Sequence, residues 1–113
     1  MAWFTWTMEY TEVTPDEFTA LAGVDDWMVV GAEIHATFRG ATYLLGAELV
    51  KTIAEIAEAN VHHPDMAIRY PGRVHVSLTT HATGGLTTLD VDAARQISAA
   101  AAAAGATVEP HGS

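Results

Sequence analysis

Imidazole is the one side chain whose ordinary pKa, about 6.5, lets it give and take protons near neutrality. The chain has six histidines in 113 residues. Three of them fall in two short segments, Glu58-Ala59-Asn60-Val61-His62-His63-Pro64-Asp65 and Leu78-Thr79-Thr80-His81-Ala82-Thr83-Gly84-Gly85-Leu86. A histidine pair in the turn after a helix and a third at the end of a strand can converge on one ligand if the hairpin between them folds back. Such a set suits general acid–base work on a small molecule. A lone histidine is more often a surface or satisfied core residue, and His35 and His111 are read so. His75 has the strand parity of His81, but six residues at roughly 3.3 Å each would separate them by about 20 Å. Zinc needs three or four convergent ligands, and on paper His62, His63, His81 and Glu58 could supply them. Adjacent histidines usually point in different directions, however, and no HxH or HExxH spacing is present. No metal is therefore expected. With no cysteine, thiolate nucleophiles, disulfides and Cys-rich zinc sites are excluded.

The elements that must position these residues read in the order helix, two strands, helix, two strands, helix. Thr14, Pro15 and Glu17 give the first helix a capping-box start, with Phe18, Leu21 and Ala22 as its apolar stripe and Gly23 as its stop. Trp27 to Val30 and Glu33 to Phe38 read as strands separated by Gly31-Ala32. In the second, Ile34, Ala36 and Phe38 alternate with Glu33, His35 and Thr37. A helix is expected from about Ala41 to Ala59, carrying Leu45, Leu49, Ile53 and Ile56 at helical spacing, with Pro64 blocking its continuation. Met66 to Tyr70 and Val74 to Thr80 read as a second strand pair around the turn Pro71-Gly72. Thr87 and Asp90 have capping-box spacing for a last helix running to about Ala104. Its run Ala99 to Ala104 is either simply a strong helix or a smooth face for close approach by another helix, such as one from a second subunit. The tail, residues 108–113, is expected to fray.

Length and composition bound the answer. One domain is expected over residues 1–113, with half the residues hydrophobic and 17% charged. A chain this short gains from oligomerisation. A net charge of −9 argues against nucleic acid and anionic membrane surfaces as partners. No apolar run approaches the roughly 20 residues of a transmembrane helix, and the aromatic N-terminus does not read as a signal peptide. A soluble cytoplasmic protein is the expectation.

The pattern Glu58-x3-His62-His63-Pro64-x5-Tyr70, then Thr80-His81, Gly85-Leu86 and Asp90, resembles the signature of the pterin-4a-carbinolamine dehydratases, also called 4a-hydroxytetrahydrobiopterin dehydratases. The likeness runs from about Phe18 to Ala100. It includes Trp27, the strand ending in Phe38, and the helix ending Ile56-Ala57-Glu58. Two departures stand out. The turn Pro71-Gly72-Arg73 is one residue longer than the common pattern, and Ala82 stands where an acidic residue is common. Residues 1–12 form an extra N-terminal segment with no counterpart, whether an added strand, a docking arm or an overlong start.

The resemblance implies an α+β fold of two layers, a four-stranded antiparallel sheet with helices on one face, assembled as homodimers or homotetramers. The implied reaction is dehydration of a 4a-hydroxytetrahydropterin to the quinonoid dihydropterin, in tetrahydrobiopterin recycling, with no metal or redox cofactor. On that basis His62 and His81 take the acid–base roles and His63 mainly binds and orients the pterin. The backbone around Val61 and from Thr79 through Thr80 to Ala82 is expected to contact the ring, while Glu58 and Asp90 support the site from behind, Asp90 equally as the helix cap. The alternative is a non-catalytic protein-interaction module on the same fold, of coactivator or assembly-chaperone type.

Overall fold

The computed structural model describes residues 9–110. Most of the expected N-terminal extra segment, residues 1–8, and the last three residues of the tail, with His111, lie outside the described residues. The elements are α1 (Pro15–Thr19), β1 (Met28–Val30), β2 (Glu33–Arg39), α2 (Tyr43–Asn60), β3 (Asp65–Arg69), β4 (Arg73–Leu78), α3 (Thr88–Ala103) and β5 (Thr107–Val108). The fold is α+β. All strand pairs are antiparallel, in the order β1-β2-β4-β3, and β5 joins the outer edge of β2 beyond β1.

Period-two alternation builds the sheet. In β2, Ile34, Ala36 and Phe38 are buried, and in β4, Val74, Val76 and Leu78 are buried. Register places Ile34 opposite Leu78, Ala36 opposite Val76 and Phe38 opposite Val74, so the buried sets meet on one face. Against that face α2 lays Leu49, Ile53 and Ala57, and α3 lays Val91, Ala94, Ile97 and Ala101. Burying a side chain such as Ile53 or Phe38 contributes roughly 1.5–3 kcal/mol. This seam therefore carries the fold, and the opposite, helix-free face keeps the polar residues of β2, β3 and β4. Trp27 closes one end, stacking edge-on against Phe38 at 6.1 Å and donating from Nε1 to Ser98 Oγ at 2.9 Å.

Both expected capping boxes are present, Thr14 with Glu17 and Thr87 with Asp90. The first helix ends sooner than its apolar stripe suggests, with Ala20 as its cap rather than Gly23. Gly72 is needed at the β3–β4 turn, because a Cβ there would lie 2.5 Å from Thr42 O and 2.7 Å from Gly40 O. That turn is seated on the approach to α2, and Gly40 donates to Gly72 O at 2.8 Å. The alanine run puts Ala101 in the core and leaves Ala99 and residues 102–104 exposed.

The sheet has a fifth strand that the sequence did not suggest, and Val108 and Glu109, at the start of the segment expected to fray, are held against β2. Val108 pairs with Phe38, Glu109 N donates to Thr37 O at 2.8 Å, and the Glu109 carboxylate takes a two-pronged grip from Arg73. A two-residue strand carries no periodicity, so only this tertiary anchor reveals it. At the other end, residues 11–13 run against 86–88: Val13 N donates to Leu86 O and Thr88 N to Thr11 O, both at 2.9 Å. This pairing pins the start of α3.

Candidate active site

The α2 helix ends with Val61 at φ 52°, in the left-handed region. A β-branched residue is rarely found there, and such a conformation is strained by about 1–3 kcal/mol. Val61 N–H reaches back to Ala57 O and Glu58 O, and His62 N donates to Ala57 O at 3.1 Å. The reversal turns His62 inward while Val61 itself stays exposed. Inside, His62 Nε2 lies 2.7 Å from Asp90 Oδ1. The His62 side chain is 10% exposed and that of Asp90 is fully buried.

Asp90 is also the third residue of α3 and closes the capping box of that helix. Its Oδ2 accepts from Thr87 N at 2.9 Å and from Thr80 Oγ1 at 2.7 Å. The Thr87 hydroxyl lies 2.8 Å from Thr80 Oγ1 and accepts from Leu89 N at 3.1 Å. Because Thr80 O–H is spent on the carboxylate, Thr87 O–H must donate to Thr80. The directions then close without a gap, and among the described residues no buried side-chain polar atom lacks a partner. A carboxylate only accepts, so His62 Nε2 carries a proton. In the uncharged ring Nδ1 is then a free lone pair.

Thr80 ties the second segment to the same unit. A tight turn follows it, with Thr80 N donating to Gly85 O at 3.0 Å and Gly84 N to Thr80 O at 3.0 Å. His81 sits on that turn, exposed, and its side chain has no hydrogen bond among the described residues. Asp90 therefore links His62 directly with the residue that precedes His81. His63 is exposed and lies 2.6 Å from Glu58 Oε2, outside this buried unit. No grouping of three or more His, Cys, Asp or Glu able to hold a metal occurs among the described residues.

The other expected contact residues divide. Val61 and Ala82 are exposed beside the histidines. The Thr79 hydroxyl is committed to Ala32 O at 2.7 Å, and Thr80 has its side chain buried and both backbone polar groups spent in the turn, so of these two only the Thr79 backbone is available to hydrogen-bond a ligand from this geometry. A concavity of about 660 Å³ opens over the end of α2 and the start of α3, bordered by Val61, Asn60 and Leu89, though none of the three histidines lines it. That size is ordinary for a small-molecule site. Thr87 was legible only as a cap; its place in the Asp90 network depends on tertiary contact. A second histidine pair was missed altogether. His35 Nδ1 and His75 Nε2 lie 2.9 Å apart on the helix-free face of the sheet. Their odd parity in neighbouring strands was the available signal, but it needed the β2–β4 register.

Comparison with known proteins gives this geometry a context. The family model described as pterin 4 alpha carbinolamine dehydratase matches residues 6–100. A relative from Nocardia farcinica bearing that family's name is 44% identical over 89 residues, 77% of this chain and 93% of its own. One from Cyanothece sp. is 45% identical over 73 residues, 65% of this chain and 74% of its own. A solved structure from Brucella melitensis, described as a transcriptional coactivator/pterin dehydratase, superposes with a TM-score of 0.72 at 31% identity, covering 80% of this chain and 99% of that one. With its fold, its histidine segments and nearly its whole described length accounted for, the chain belongs to the pterin-4a-carbinolamine dehydratase family.

Proposed function

We propose that the protein dehydrates a 4a-hydroxytetrahydropterin to the quinonoid dihydropterin and water. The observation that carries this reading is the buried His62–Asp90 pair, which holds one imidazole nitrogen and leaves the other as a base. The reaction needs two proton movements. The ring nitrogen beside C4a loses its proton, its electron pair closes the C=N bond, and the C4a hydroxyl leaves as water after accepting a proton. His62 Nδ1 is suited to the first step, since Asp90 stands behind the ring to stabilise the imidazolium that results. His81, exposed and uncommitted, is suited to donate the second proton. His63, oriented by Glu58, binds and positions the pterin, with Val61, Ala82 and the backbone of Thr79 and Thr80 against the ring. None of these steps calls for a metal or redox cofactor. Acid–base assistance of this kind is worth roughly 10²–10⁴ in rate.

The test is turnover of freshly generated 4a-hydroxytetrahydropterin by His62→Ala and His81→Ala. Each is expected to fall well below wild type with the fold retained. Wild-type rates in both would overturn the assignment. The apolar side chains Tyr43, Leu44 and Leu45, exposed on the first turn of α2, favour assembly into a dimer or tetramer. Light scattering that gave a strict monomer at micromolar concentration would contradict it. A second reading, an interaction module, is favoured by the coactivator role in the description of the Brucella melitensis structure. One stoichiometric protein partner with no turnover would put that reading first.

A further inference from the structure

The helix-free face of the sheet carries most of the positive charge of an acidic chain. Of five Lys and Arg residues, Arg39, Arg69 and Arg73 lie in one transverse row, with Arg73 in register with Arg39 on one side and Arg69 on the other. Like charges directly opposite one another across strands repel. One carboxylate answers the row: Glu109 accepts from Arg73 Nε at 2.8 Å and Nη2 at 2.5 Å and stands 4.0 Å from Arg39 Nε. Arg69 has no ion pair among the described residues. The hold on Glu109 leaves Arg73 Nη1 with its donors unspent. Between these guanidiniums, where β3 presents only the methyl group of Ala67, lies a concavity of about 270 Å³ whose wall is completed by Thr37 and His75.

We propose that this concavity binds a small phosphate-bearing anion, held by Arg69, Arg73 and the Thr37 hydroxyl. It is a site separate from the His62 centre. It lies on the opposite face of the sheet, and Arg73 is seven residues from Thr80, roughly 23 Å along an extended chain.

The hydrogen-bond chain beside it couples this binding to protons. Glu33 Oε1 accepts from His35 Nε2 at 2.9 Å, so His35 Nδ1 is the acceptor in the uncharged ring. His75 Nε2–H then donates to it at 2.9 Å, and the Thr37 hydroxyl must donate to His75 Nδ1 at 3.0 Å. In that state the hydroxyl faces the ring, not the pocket. Protonating His75 reverses the last bond: Nδ1–H donates to Thr37 Oγ1, and the hydroxyl is freed for an anion. Burial, His35 and the cations Arg69 and Arg73 all hold the His75 pKa down. An anion between the two arginines removes the last two causes. The other charged or titratable groups on this face are Glu33 and Arg39 from β2, Asp65 from β3, and Glu109 after β5. Glu33 is occupied by His35 and Glu109 by Arg73, while Asp65 lies at the far end of β3 opposite Ser77.

The experiment follows the His75 ring by NMR over pH 4.5–8, at fixed ionic strength, with sodium chloride, inorganic phosphate or glycerol 3-phosphate. In wild type, phosphate is expected to raise the His75 pKa by about one unit relative to chloride, the low end of what a nearby opposite charge produces. Binding should accordingly tighten as pH falls. Arg69→Gln, an exposed change outside the catalytic machinery, should weaken binding roughly tenfold or more and abolish the rise, while dehydration continues at the wild-type rate. Tighter binding of glycerol 3-phosphate than of phosphate identifies a phosphate ester as ligand; equal binding identifies free phosphate. The proposal is overturned if neither anion moves His75 beyond the chloride control, or if Arg69→Gln responds as wild type does.

Discussion

Replacing Asp90 by Asn tests how the His62 ring is set. Asn has one acceptor oxygen where Asp has two, and three donors converge on the site. Thr80 O–H and Thr87 N–H both point at Oδ2, at 2.7 and 2.9 Å, from buried positions. A buried donor left unsatisfied costs about 1–3 kcal/mol. The amide will therefore turn its oxygen to those two and its NH2 to His62. Nε2 must then offer a lone pair, and the ring proton moves to Nδ1, the nitrogen assigned to the substrate. Three charge-assisted bonds become neutral ones, the one to His62 with its direction reversed, a loss of about 1–3 kcal/mol, so the variant should still fold. Turnover should fall by roughly 10²–10⁴, the contribution of the base. Nitrogen-15 NMR of His62 should report Nε2–H in wild type and Nδ1–H in the variant. A folded Asp90→Asn protein that keeps wild-type turnover, or keeps its proton on Nε2, would refute the reasoning.

Other substitutions probe the frame. Val61→Gly relieves a left-handed β-branched residue, worth about 1–2 kcal/mol, against a flexibility loss of about 0.5–1 kcal/mol, so denaturant melts should show unchanged or slightly higher stability; a clear loss would mean that the strain argument fails. Gly72→Ala drives a methyl group into the backbone of Gly40 and Thr42 and should lower stability by about 1–3 kcal/mol in the same assay. A wild-type melt from that variant would contradict the close approach. Stability should fall on acidification for two groups whose signs agree. His75 has a lowered native pKa, so the unfolded chain binds its proton first, and stability is lost as pH drops below about 6.5 toward the native value. Glu109 is held below the usual carboxylate range by Arg73, so its contribution is lost at lower pH still, as the native carboxylate protonates. His75→Gln should flatten the upper part of this decline and Glu109→Gln the lower part, read from chemical denaturation at each pH; unaltered profiles would disprove the assignment.

The sheet and helices were legible because their cues are local. Alternation at Ile34, Ala36 and Phe38, helical spacing at Leu49 and Ile53, and the two capping boxes each depend on residues a few positions apart. His62 and His81 stood out through residue type and spacing, and Asp90 through its distance from Thr87. What stayed hidden depends on contacts between distant parts of the chain. No periodicity reveals β5, whose place is set by Arg73 gripping Glu109, 36 residues away. Thr80 and Thr87 looked like a ligand contact and a cap, and only packing turns them toward Asp90. His35 looked ordinary because its partner, His75, lies 40 residues on.

The central claim is that the His62 and His81 segments form one acid–base site. The most direct measurement is the dehydration rate of freshly generated 4a-hydroxytetrahydropterin without protein, with wild type, and with the His62→Ala/His81→Ala double variant, each protein checked for its fold by circular dichroism. The account predicts acceleration by wild type and the background rate with the double variant. Acceleration retained by the folded double variant, or absent from the folded wild type, would contradict it.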